Sequence, residues 1–192
     1  MTRLTAWWFR LQAMALLVFG QRERALRVFD RMVQLSPQAV YPLSSRAHLL
    51  AQMGRREDAL ADYRRLVALP GADASAWFNL GFVLEEAGHF EEALEAFGHA
   101  TTLDPKLDRA WYGQGLVLIR LQRLDEAVHA LKRNTELQPM SPYGWYQLAR
   151  VHVDRQQPDE AAKIIRHLQG FEPKVAAQLQ RETGLLAEPA GS

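Results

Sequence analysis

Six histidines, His48, His89, His99, His129, His152 and His167, are the side chains of this sequence best suited to proton transfer or metal binding. A metal site needs several such groups on one surface. Glu95 and His99 lie four residues apart, which puts two ligands on one face of a helix, but the same spacing is common among exposed surface pairs. The remaining histidines are scattered. Acidic pairs recur at Glu57-Asp58, Glu91-Glu92, Asp125-Glu126 and Asp159-Glu160. A first helical turn, where the macrodipole favours negative charge, accounts for them without catalysis. There is no cysteine, hence no thiolate zinc site, no cysteine nucleophile and no disulfide framework, and a reducing compartment fits best. Glycine-rich phosphate loops, HExxH, GxSxG and strand-like alternation are all absent from the sequence. The sequence therefore predicts no enzyme, no metal and no cofactor.

What the elements must position becomes clear from internal spacing. Trp77, Trp111 and Trp145 are separated by steps of 34 residues. Ala25, Ala59, Ala93, Ala127 and Ala161 keep the same step, each preceded two positions earlier by an acid. Leu35, Leu69, Leu103, Leu137 and Phe171 follow it too, and Pro37, Pro105, Pro139 and Pro173 close four of the units. Each unit reads as two helices, because apolar residues return at helical spacing on either side of a breaker. Gly20, Gly54 and Gly88 are the breakers of the first three units, suited to positive φ after a helix end. Gln122 and Gln156 take that place in the last two and predict less relaxed turns.

With 192 residues, 48% hydrophobic, 23% charged and net charge +1, the chain is long enough to bury a core. No Gly/Ser-rich or highly charged linker interrupts it, so one domain is expected over residues 1–187, with a disordered tail at 188–192. Small residues hold one position of each first helix, at Ala13, Ala47, Gly81, Gly115 and Ala149, so that helix backbones can approach closely. One helical hairpin cannot bury its own apolar face. Neighbouring units must stack, and a constant small rotation between them gives an all-α, right-handed superhelical solenoid.

The run Trp77-x-x-Leu80-Gly81-x-x-Leu84, followed by Ala93-x-x-x-Phe97 and Pro105, resembles the tetratricopeptide repeat signature, with Leu84 in place of its tyrosine. The resemblance covers five helix-turn-helix repeats at about 6–39, 40–73, 74–107, 108–141 and 142–175, then a capping helix at 174–187. Val175, Leu179 and Leu186 are expected to cover the end of the stack, with Gln178, Arg181 and Glu182 in water.

The resemblance implies a concave groove, built from the second, fifth, ninth and twelfth positions of each first helix, that holds a peptide segment of a partner protein. Carried onto this sequence, it implicates Tyr41 and His48 in the second repeat and Phe78 and Phe82 in the third. The fourth contributes Arg109, Tyr112 and Leu116, and the fifth Tyr143, Tyr146 and Arg150. Aromatic and arginine side chains are the common anchors of protein interfaces. Several of these rings could equally fill gaps between repeats. Trp77, Trp111 and Trp145 sit where the family packs its repeats internally. Phe82 and Leu116 occupy positions where a carboxylate clamp needs asparagine, which argues against that mode.

The stretch Leu4 to Phe19 departs from the pattern, being apolar almost all round, with only Arg10 and Gln12 strongly polar. At about 1.5 Å per residue it is near 24 Å long, short of the ~30 Å hydrocarbon core of a bilayer. A secretory signal peptide is a competing reading, but no small-x-small site follows Phe19, and Ala13, Gly20, Ala25, Phe29 and Pro37 keep the repeat register. Residues 1–66 hold 11 arginines against 5 acids, a balance of +6, and the remainder carries −5. Trp7, Trp8, Phe9 and Arg10 are thus candidates for docking, either to another copy, to a partner or to a membrane surface. The basic excess is not interleaved with aromatics along the groove, so nucleic acid is not expected. The sequence as a whole reads as a non-enzymatic interaction scaffold, cytoplasmic or peripheral to an inner membrane, with an assembly role through the N-terminal helix as the alternative. Abundant Arg and Ala with few Lys suggest a bacterial origin.

Overall fold

Helical apolar spacing, acids in first turns and left-handed residues at the helix ends together divide the chain into short hairpins. The computed structural model describes residues 3–186. Among these there are eleven α-helices and no strand; the expected tail at 188–192 lies outside the described residues. Positive φ is found at all five turn positions: Gly20, Gly54 and Gly88 have φ of 70°, 76° and 81°, and Gln122 and Gln156 adopt 58° and 57°. Each turn closes with the same pair of bonds. At Gln122 its own N–H donates to Ile119 O at 3.1 Å and the Arg123 N–H to Leu118 O at 2.9 Å, a Schellman closure that satisfies the last carbonyls of the helix. The two glutamines accept the left-handed backbone because this closure is retained.

The chain divides into two compact units, with the division between His89 and Phe90. The first contains α1 (Arg3–Val18), α2 (Arg22–Leu35), α3 (Val40–Gln52), α4 (Arg56–Val67) and α5 (Ala74–Glu86), each packed on the next. Its core is built around Ala13, Ala25, Ala47 and Ala59, all fully buried, with Phe29, Leu43, Leu60 and Tyr63 filling the space between helices. One feature is polar. Asp62, only 3% exposed, accepts from Arg46 Nε and Nη2 at 2.6 Å each, and Arg46 Nη1 donates to Asp30 Oδ1 at 3.0 Å. In the 34-residue register Arg46 stands where Leu80 and Leu148 stand, and Asp62 where Ala96 and Ala130 stand. An ion pair on α3 and α4 thus replaces an apolar contact.

Burial pushes the Tyr63 phenol up to about 12 from its ordinary 10.0. Between these values the unfolded chain releases the proton and the folded chain keeps it, so stability falls as pH rises from about 10 to about 12. The expected loss is about 2–3 kcal/mol. Denaturant midpoints followed through that window should show the slope in wild type and a flatter line in Tyr63→Phe.

The second unit contains α6 (Phe90–Leu103), α7 (Asp108–Arg120), α8 (Leu124–Leu137), α9 (Pro142–Asp154), α10 (Pro158–Gln169) and α11 (Pro173–Thr183). Glycines let its helices approach. A Cβ on Gly115 would lie 2.7 Å from Leu131 Cδ2, and one on Gly113 2.6 Å from Phe97 Cζ. Gly144 faces the buried Asn134, whose Nδ2 donates to Asp108 O at 2.9 Å. Helix α11 covers the unit with Ala176 and Leu179, both fully buried, and half-buried Val175. It ends at Thr183, not at 187, because Gly184 turns left-handed at φ 71°. Leu186 therefore does not cover the end: it stays 39% exposed, its carbonyl accepting from Gln180 Nε2 at 2.8 Å.

Candidate functional site

In the second unit, α7, α9 and α11 pack side by side and leave an open cleft of about 500 Å³ between them. Its walls are Tyr112 from α7, Pro142, Tyr143, Tyr146 and Gln147 from α9, and Glu172, Val175 and Gln178 at α11. Pro142 at the first position of α9 fixes the helix start, and Tyr143 and Tyr146 then follow three apart on one face. Tyr143 is 71% exposed. Tyr146 is held, its hydroxyl donating to Glu182 Oε2 at 2.7 Å, while Gln178 Nε2 donates to Glu182 Oε1 at 2.8 Å. These two bonds, that of Gln178 first, hold the Glu182 carboxyl below the usual carboxylate range. Arg150 Nη1 donates to Tyr146 Oη at 3.5 Å, and this bond, with Glu182 nearby, keeps the guanidinium firmly charged.

The cleft thus has aromatic walls, one carboxylate engaged by neutral donors and one cation beside it. Such a surface can bury apolar side chains and satisfy backbone amides. Of the residues expected from the sequence, Tyr112, Tyr143 and Tyr146 converge here, with Arg150 at the margin. Arg109 and Leu116 lie on the same helix as Tyr112 without lining the cleft, Arg109 exposed and Leu116 half-buried. Glu172, Val175, Gln178 and Glu182 were not anticipated in this role. Helix α11 starts 31 residues after α9, not 34, so the repeat register does not carry over to it.

The first unit places its candidates differently. The Arg10 guanidinium lies 3.9 Å over the Tyr41 ring, which also meets Phe29 edge-on at 6.5 Å. Arg10 and Tyr41 therefore engage each other across α1 and α3. His48 is exposed, with Nε2 2.9 Å from Gln52 Nε2. The rings of Phe78 and Phe82 stack on α5 at 6.4 Å. Trp7 and Trp8 project from α1, and Phe9 is half-buried.

The histidines divide between packing and solvent. His152 is buried with Nδ1 2.8 Å from Gln157 Oε1; His129 packs against Trp111 and His167 against Trp145. The two indole N–H groups donate to Pro105 O and Pro139 O, so each tryptophan ties the two helices of its own repeat to the turn that closes the preceding one. Glu95 and His99 are exposed. Among the described residues no group of three or more potential ligands could hold a metal ion, and no helix is long and apolar enough to cross a membrane.

Two models of the tetratricopeptide repeat match the sequence, one over residues 74–107 and one over 112–170. No protein with a curated description matches the chain. Among solved structures, MamA aligns with a TM-score of 0.81 at 20% identity over 94% of this chain and 96% of its own. MamA 41-end from Desulfovibrio magneticus RS-1 gives 0.78 at 22%, covering 92% and 96%. YrrB, described as a TPR protein with an unusual peptide-binding site, gives 0.77 at 19% over 88% of each chain. At these identities the likeness is one of fold: the all-α helical-repeat class.

Proposed function

The chain belongs to the tetratricopeptide repeat family, and on that premise we propose that it is a non-enzymatic cytoplasmic scaffold holding a peptide segment of a partner protein in the cleft between α7, α9 and α11. The observation that carries this reading is the convergence of Tyr112, Tyr143 and Tyr146 on an open hollow of about 500 Å³. Rigid helices hold the rings in place before the partner arrives, so a peptide's apolar side chains are buried at little ordering cost on this side. Tyrosine loses few rotamers on binding and offers a hydroxyl beside a large apolar face. Arg150 would pair with a carboxylate or carbonyl of the peptide. A tetratricopeptide protein of like fold, YrrB, is described as having a peptide-binding site, which supports the general mode.

The test is to select peptides from a random library on the folded protein and titrate them into variants. Tyr143→Ala should weaken the selected peptides by roughly 30-fold, the scale of an interface hot spot of about 2 kcal/mol. Tyr112→Ala combined with Tyr146→Ala should remove binding. Unchanged affinity in a double variant with wild-type circular dichroism would remove the cleft from consideration, and loss of affinity in Phe78→Ala alone would move the site to α5.

A further inference from the structure

The outer surface of α1 has no role in the reading above. Along it Leu4, Trp7, Trp8, Leu11, Met14 and Val18 stand exposed, Trp7 by 53% and Trp8 by 64%. On a helical wheel of 100° per residue these positions form one apolar arc of about 120°, opposite the face that buries Ala13. A contiguous apolar arc of this width marks a binding surface.

Its composition discriminates between occupants. The third position of a first helix is Pro42 in α3, Ala76 in α5, Ala110 in α7 and Gly144 in α9, all buried, because there the preceding helix approaches closely. In the 34-residue register the corresponding residue of α1 is Trp8. A tall indole where four repeats use small or compact residues does not accept a helix in ordinary repeat packing, whereas a fluid acyl layer closes around it. Charge separates lipid from a second copy. Residues 1–35 hold six arginines and two acids, and Arg24, Arg27 and Arg31 line one exposed face of α2, the helix packed on α1. Two copies meeting through this end would bring the arginines together, while an anionic headgroup layer complements them. Lys and Arg beside a Trp-rich apolar face are what an interfacial helix requires.

We propose that α1 lies in the surface of an anionic lipid bilayer, its Trp7-Trp8 face among the acyl chains and the α2 arginines against the headgroups. The test uses the full chain with vesicles of phosphatidylcholine, alone or mixed with equal phosphatidylglycerol. Binding to the mixed vesicles with a blue-shifted tryptophan emission is expected, and brominated acyl chains should quench it. Trp8→Ala with Leu11→Gln, both outside the core, should abolish co-flotation. Arg27→Gln and Arg31→Gln should each weaken partitioning about fivefold at low salt. Quenching by brominated lipid reads the wild-type chain directly and does not depend on how the variants fold. Absence of binding to mixed vesicles overturns the proposal. So does a wild-type dimer, seen by light scattering, that Trp8→Ala turns into a monomer while lipid has no effect, since a second copy is then the occupant.

Discussion

Asp62→Ala is expected to lower the stability of the folded chain by about 3–5 kcal/mol, the cost of leaving one member of a buried ion pair without its partner. Arg46 would lose both of its 2.6 Å bonds. Asp30, 3.0 Å from Nη1 and 43% exposed in its side chain, remains to compensate, which places the loss toward the lower end of that range. Arg46→Leu alone leaves Asp62 buried with Arg65 at 3.6 Å in place of two 2.6 Å bonds, and should be comparably damaging. The double variant Arg46→Leu with Asp62→Ala behaves differently. It installs the leucine and alanine that α5 and α6 carry at the same register positions, and replacing a buried ion pair by apolar side chains is commonly neutral or stabilising by about 1–4 kcal/mol. Denaturant unfolding of the four proteins closes a double-mutant cycle. A coupling energy near zero would mean that the pair is solvated and that its short bonds carry no net stability.

That ion pair shows where the sequence was legible and where it was not. The pairing of helices and the geometry of the turns within the pairs follow from a 34-residue step read across many positions at once, and the step is informative enough that Gln122 and Gln156 are placed at positive φ against their residue type. Arg46 and Asp62, by contrast, each look like ordinary surface charges when read along their own helices. Only a comparison by register, with Arg46 aligned on Leu80 and Leu148 and Asp62 aligned on Ala96 and Ala130, reveals that the two charges answer each other. The engagement of Tyr41 by Arg10 was out of reach for a related reason: it depends on side-chain choice between α1 and α3, and spacing carries no information about it. The contribution of α11 to the cleft was hidden by its 31-residue step, which breaks the periodicity on which the groove positions were assigned. What was legible in the candidate site was therefore the tyrosine face of α7 and α9; what was not was the wall opposite.

Phe97→Ala is expected to cost about 3–5 kcal/mol, because a fully buried ring is removed and the helices around it can close only in part. Its partner is a backbone. All the nearest atoms to a Cβ on Gly113 belong to this ring, at 2.6, 2.9 and 3.0 Å, so the glycine exists to let Phe97 lie flat against α7. Two effects then compete in Gly113→Ala. Helix propensity favours the alanine by about 1 kcal/mol. The ring, held on its other side by the core, must move as a whole, and overpacking of that kind costs about 1–3 kcal/mol, so the net change in the wild-type background should be destabilising. In the Phe97→Ala background the obstruction is gone and the same substitution should stabilise, recovering up to about 1 kcal/mol. A change of sign between backgrounds is the outcome that identifies close packing as the reason for the glycine. If Gly113→Ala stabilises the wild type, the ring has room to shift and the approach of α6 to α7 is not set by Gly113.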